Sequence, residues 1–178
     1  ASSVGYGSPG RINSVSLVGD INEDGQLNVL DIVHLVNTIL SGEYNSAGDM
    51  NVDGSNDVLD VVSLVNLVLG LNRVNDATIA NVYFDGNKCK INGDGYIGAI
   101  HLTLEHDDGF YIDLTKNALV SEKNTNENET TIIIVKPEEE LLFETLQGFK
   151  ILEIIVANSH EYIDVNLPNE YFLSHAYP

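Results

Sequence analysis

An internal repeat constrains this chain more than any other feature. Residues 19–40, GDINEDGQLNVLDIVHLVNTIL, and residues 48–69, GDMNVDGSNDVLDVVSLVNLVL, align without a gap at an offset of 29. Gly19/Gly48, Asp20/Asp49, Asn22/Asn51, Asp24/Asp53, Gly25/Gly54, Asp31/Asp60, Leu35/Leu64 and Asn37/Asn66 are identical pairs. Each copy reads as a polar loop followed by a helix of about three turns. Ser41-Gly42 ends the first helix and Gly70 the second, since glycine readily takes the left-handed turn that closes a helix.

The loops place oxygen atoms at metal-ligand spacing. Calcium takes six to eight oxygens at ~2.3–2.6 Å, and a twelve-residue loop supplies them from positions 1, 3, 5, 7, 9 and 12, with glycine at 6 for the sharp turn. Loop one offers Asp20, Asn22, Asp24, Gln26 through its carbonyl, Asn28 and Asp31 around Gly25. Loop two offers Asp49, Asn51, Asp53, Ser55 through its carbonyl, Asp57 and Asp60 around Gly54. The last ligand is Asp and falls in the first helical turn, where the helix dipole favours a carboxylate. An Asx-rich turn capping a helix would explain one such loop; two in register point to two bound calcium ions.

Residues 19–70 resemble a type I dockerin, the duplicated calcium module whose units lack the entering helix. The resemblance implies that calcium is structural and that the helix pair docks on a protein partner. Dockerins that bind reversibly often carry Ser or Thr just before the twelfth loop position. This chain has Val29-Leu30 and Val58-Leu59 there, so a more apolar, less exchangeable contact is expected, with Val29, Leu30, His34, Val58, Leu59 and Ser63 as partner-binding residues. Asn56 replaces the usual aliphatic residue at loop position eight, which is expected to loosen the pairing of the loops.

Both helices carry more apolar surface than a two-helix module can bury. Ile32, Val33, Leu35, Val36, Ile39 and Leu40 cover most of the first; Val61, Val62, Leu64, Val65, Leu67, Val68 and Leu69 cover most of the second. Another surface must cover the excess, either the second half of the same chain or a neighbouring molecule.

From about residue 77 the texture changes to period two. Ile100/Leu102/Leu104, Phe110/Ile112/Leu114 and Ile163/Val165/Leu167 alternate with polar residues, and turn-rich breaks separate the runs. Ile132–Val135 and Ile151–Val156 are apolar on both faces, as central strands would be. Seven to nine short strands are expected, with 137–147 as a short helix or a long loop. The fold class is therefore α+β in two modules: a small duplicated α-helical calcium module, then an antiparallel, Ig-like or cohesin-like β-sandwich. The stretch 93–114 with 148–157 resembles the cohesin-like sandwich family. The expected boundaries are 1–18 for an N-terminal arm whose residues 12–18 can add a strand, 19–72 for the dockerin-like domain and 77–175 for the sandwich. Residues 174–178 resemble the lead-in to a type IX secretion sorting tail.

Composition bounds the function. Eight Lys+Arg against 27 Asp+Glu give a net charge of −19, which repels nucleic acid and anionic membranes and favours divalent cations. No apolar run is long enough to span a bilayer. Lone Cys89 forms no disulfide framework and reads as a small buried residue. His34, His101, His106, His160 and His175 form no paired ligand motif, and no nucleophile elbow or phosphate loop is present. Asp107-Asp108 and Asn92/Asp94 read as turns or as a further calcium site, and Asn128-Glu129-Thr130 is a glycosylation sequon. The expectation is a secreted or cell-surface, non-catalytic, calcium-binding assembly protein that self-associates head to tail into a filament or surface structure. The alternatives are the anchoring region of a larger secreted enzyme, such as a glycoside hydrolase, and an adhesin or carbohydrate-binding module; without Trp, sugar stacking would rest on Tyr.

Overall fold

The computed structural model describes residues 17–71 and 75–168. The strand expected over 12–18 falls mostly outside these residues, as do His175 and the tail lead-in at 174–178.

Helices α1 (Val29–Ser41) and α2 (Val58–Leu69) begin and end alike. Asn28 caps α1 and Asp57 caps α2; each accepts a backbone N–H with its side chain, while Asp31 or Asp60 three residues on bonds back to the cap. Gly42 and Gly70 close the helices in the left-handed conformation. The two repeats pack reciprocally. A Cβ on Gly19 would lie 2.8 Å from Leu64, and one on Gly48 would lie 2.6 Å from Leu35. Each loop thus rests on the other repeat's helix, joined further by Gly19 N–H donating to Ala47 O at 2.7 Å.

The second half is a two-sheet sandwich of β1 (Ile79–Asp85), β2 (Lys88–Gly93), β3 (Ala99–His106), β4 (Asp113–Leu114), β5 (Ala118–Thr125), β6 (Glu129–Pro137), β7 (Leu141–Glu144), β8 (Phe149–Ala157) and β9 (Asp164–Asn166). One sheet runs β4-β7-β2-β1-β9 and the other β5-β6-β3-β8. Between them lies a core that includes Ile91, Ile100, Leu102, Leu104, Ile132, Ile134, Leu142 and Phe143. Neighbouring strands are antiparallel except β9, which pairs parallel to β1. Residues 141–144, expected as helix or loop, form β7, because Lys90 and Cys89 of β2 offer an antiparallel edge to Leu141 and Phe143.

The four-stranded sheet is buried on both faces. Ile132 and Ile134 of β6 face the sandwich core, whereas Ile133 and Val135 face the helices. The helix-facing cluster joins Val36, Val58, Val61, Val62 and Val65 to Ala99, Val120, Ile133, Val135 and Ala157. Much of the excess apolar surface of the helices is therefore covered within the chain, while Leu30, Leu67 and Leu69 stay exposed. β8, expected at the centre of its sheet, is an edge strand paired with β3. Its apolar residues report the layers above and below it, not a second neighbouring strand.

Candidate calcium loops and their seat on the sandwich

The loops repeat bond for bond. Asp20 Oδ1 accepts from Asp24 N–H and Asp49 Oδ1 from Asp53 N–H, both at 3.1 Å. The other carboxylate oxygens, Asp20 Oδ2 and Asp49 Oδ2, accept from Gly25 at 2.9 Å and Gly54 at 3.0 Å. These glycines sit at φ 83° and 92°, a region costly for a residue with a Cβ. Asp24 and Asp53 accept from Gln26 and Ser55 backbone N–H at 2.8 and 2.9 Å, and the Ser55 hydroxyl helps hold the Asp53 carboxyl below its ordinary range. Asn22 and Asn51 donate side-chain N–H to Asp24 and Asp53.

Asp31 and Asp60, the twelfth residues, are fully buried. Asp31 accepts from Ile21, Asn22 and Asn28 backbone N–H; Asp60 accepts from Met50, Asn51 and Asp57. Burial pushes the Asp60 carboxyl above its ordinary value, opposed by those three donors. A buried carboxylate needs a counter-charge, and residues 17–71 contain nine Asp or Glu and no Lys or Arg. Among the described residues no three His, Cys, Asp or Glu side chains gather as a metal cluster. The available donors are instead mixed carboxylate, amide and carbonyl oxygens, which suit a hard cation and not a transition metal. The donor set fits calcium: Asp20, Asn22, Asp24, Gln26, Asn28 and Asp31 are the residues that could hold an ion in loop one, and Asp49, Asn51, Asp53, Ser55, Asp57 and Asp60 those that could do so in loop two.

The residues expected to meet a partner divide. Leu30 and His34 are exposed, and Val29, Leu59 and Ser63 half-buried. Val58 is buried in the cluster between the helices and the sheet. Asn56 bonds to the segment between α1 and loop two: its side-chain oxygen accepts from Asn45 N–H at 2.7 Å, and its buried Nδ2 has no partner.

Sequence reasoning missed a tyrosine on loop two. The Tyr44 hydroxyl donates to Asp49 Oδ2 at 3.0 Å. No spacing rule links this residue to the loop. The helices meet the sandwich through polar bonds as well: Asn66 Nδ2 donates to Ser159 O at 3.0 Å and Asn124 Nδ2 to Leu40 O at 2.9 Å.

The other candidate groups have structural explanations. Asp94 accepts from Thr78 and Ile79, Asp108 from Gly109, and Thr130 of the sequon is buried against His106 Nε2. Ser159, His160 and Asp76 lie together, but Ser159 Oγ and Asp76 Oδ2 both meet Nδ1 of His160. A nucleophile relay needs opposite ring nitrogens. Among the described residues no helix is long and apolar enough to cross a membrane.

No curated protein and no solved structure matches the chain. The family model described as the dockerin type I domain matches residues 18–69. Domains of this kind are non-catalytic, bind calcium and serve protein–protein assembly outside the cell or at its surface. The duplicated loop-and-helix segment, though not the sandwich that follows it, is a type I dockerin.

Proposed function

We propose that the protein is a non-catalytic, extracellular, two-calcium assembly unit whose copies associate head to tail, the helix pair of one chain seated on the sandwich of the next. The observation that carries this reading is the apolar contact between α1, α2 and the outer face of the β5-β6-β3-β8 sheet. Within one chain that contact is closed. In sequence, eight residues separate Gly70 at the end of α2 from Ile79 at the start of β1. An exchange of helix pairs between copies makes the same contact without a new interface, and a chain of such exchanges yields a filament or a surface array. The sandwich then serves as the cohesin-like receptor of its neighbour.

When bound, calcium would supply the positive charge that the loops lack. The chain's residues do the rest: Asp31 and Asp60 sit in the first turn of each helix, where they would hold the ion, and the reciprocal Gly19–Leu64 and Gly48–Leu35 contacts pass that order to the helix pair.

A second reading rests on Leu30, which is 57% exposed at the start of α1 beside exposed His34. These residues suit a separate receptor protein, as in the anchoring region of a larger secreted enzyme. Sedimentation velocity in calcium over a hundredfold range of concentration separates the readings. Species that grow with concentration and shrink on chelation support self-association; a monomer throughout overturns it and favours the second reading.

A further inference from the structure

The first ligand position of loop two is held from outside its own loop. Asp49 Oδ1 accepts from Asp53 N–H at 3.1 Å, and Oδ2 accepts from both Gly54 N–H and the Tyr44 hydroxyl, each at 3.0 Å. Tyr44 lies in the segment that joins α1 to loop two, and its neighbours on either side are anchored. Glu43 N–H donates to Thr38 O at 3.0 Å, which ties the segment to the end of α1. Asn45 N–H donates to Asn56 Oδ1 at 2.7 Å, and the Asn45 side chain and carbonyl accept from Ala47 and Gly48 N–H, both at 2.9 Å. The phenol therefore reaches Asp49 from a backbone with little freedom. Loop one is built differently. Among the described residues Asp20 Oδ2 accepts from Gly25 N–H alone. At the offset of 29 the residue aligned with Tyr44 is Val15, whose side chain has no group to donate, and Leu27 stands where loop two has Asn56.

We propose that Tyr44 is a positioning residue for calcium in loop two, setting the affinity there and not in loop one. A carboxylate offers about four lone-pair sites, shared between its two oxygens. Those of Asp49 Oδ2 are taken by Gly54 and Tyr44, whereas Oδ1 holds a single donor and keeps a site for a cation. The hydroxyl thus selects which oxygen is left to ligate. Without it the two oxygens carry equal loads and the carboxylate is free to turn. A hydroxyl bonded to a carboxylate is charge-assisted and strong for its kind, and removing such a partner from a metal-ligating group typically costs 10–100-fold in affinity. Two loops with like donors are thereby unequal. Loop two answers to a residue of the connecting segment, which hangs from α1, and loop one does not.

The inference rests on the calcium reading and is tested by calorimetric titration of the full chain with calcium alone. Tyr44→Phe keeps the ring and removes the hydroxyl. In the otherwise wild-type chain it is expected to weaken one of two sites roughly tenfold. Asp31→Ala, which leaves loop two, and Asp60→Ala, which leaves loop one, assign the change: the loss appears in the first background and not in the second. Urea melts separate positioning from bracing, since a weakened ion site lowers the midpoint only when calcium is present. A midpoint lowered equally with and without calcium, equal weakening of both sites, or no change in either overturns the role of Tyr44 while leaving the calcium reading intact. A wild-type chain that takes up no calcium ends both.

Discussion

Gly98 lies directly beneath Val62 of α2: a Cβ at position 98 would come within 2.8 Å of Val62 Cγ2 and 2.5 Å of Asn158 O. The absence of a side chain there lets the helix rest on the sheet. Gly98→Val forces Val62 and the Asn158 turn apart, and overpacking of this kind costs about 1–3 kcal/mol. Thermal unfolding in calcium is expected to show that loss as a lower midpoint. An unchanged midpoint would mean that α2 is not seated on the sheet at this point.

Ile133 and Ile132 are neighbours on β6 that serve different layers, one under the helices and one inside the sandwich. Either change to Ala is expected to cost about 2–5 kcal/mol as a cavity opens. Ile133→Ala is expected also to weaken calcium uptake, because it loosens the helix seat, whereas Ile132→Ala is not. Paired urea melts and calcium titrations check both halves of this expectation.

The dockerin repeat and its helix limits were legible because local chemistry decides them. Asp, Asn and Gly at fixed spacing leave the backbone few alternatives, and Gly42 and Gly70 sit where a helix must turn out. The double-faced burial of β6 was legible too, since Ile132–Val135 offers no polar side to solvent. β8 shows the limit of that reasoning: hydrophobic pattern tells which faces are covered but not which strand lies alongside. β7 was hidden because Glu138–Glu140 and Leu141–Leu142 look helical locally, and a long-range partner, β2, decided otherwise.

Val52 occupies the fourth position of loop two at φ 60°, where its counterpart Glu23 has φ 59°. A β-branched residue is strained in that region, and Val52 is 85% exposed, so little packing offsets the strain. Val52→Asn is expected to raise stability by about 1 kcal/mol, since Asn tolerates the left-handed conformation. Chemical denaturation of the calcium-loaded chain checks this; a loss of stability would show that Val52 makes a contact worth more than the strain.

Cys89 of β2 is buried in the sandwich core, and burial pushes its thiol far above the usual range. At pH 8 the folded chain holds almost no thiolate, which is the reactive form. A thiol reagent is expected to label the native protein very slowly and the urea-unfolded protein at once. Rapid labelling under native conditions would place the thiol at the surface.

The central claim is that two carboxylate-rich loops, devoid of basic residues, each clamp a calcium ion and so order the helices that cover the sheet. Calorimetric titration of the metal-stripped chain tests it most directly. The account predicts uptake of two calcium ions per chain, reduced to one by Asp31→Ala or by Asp60→Ala; a titration that shows no calcium uptake would contradict it.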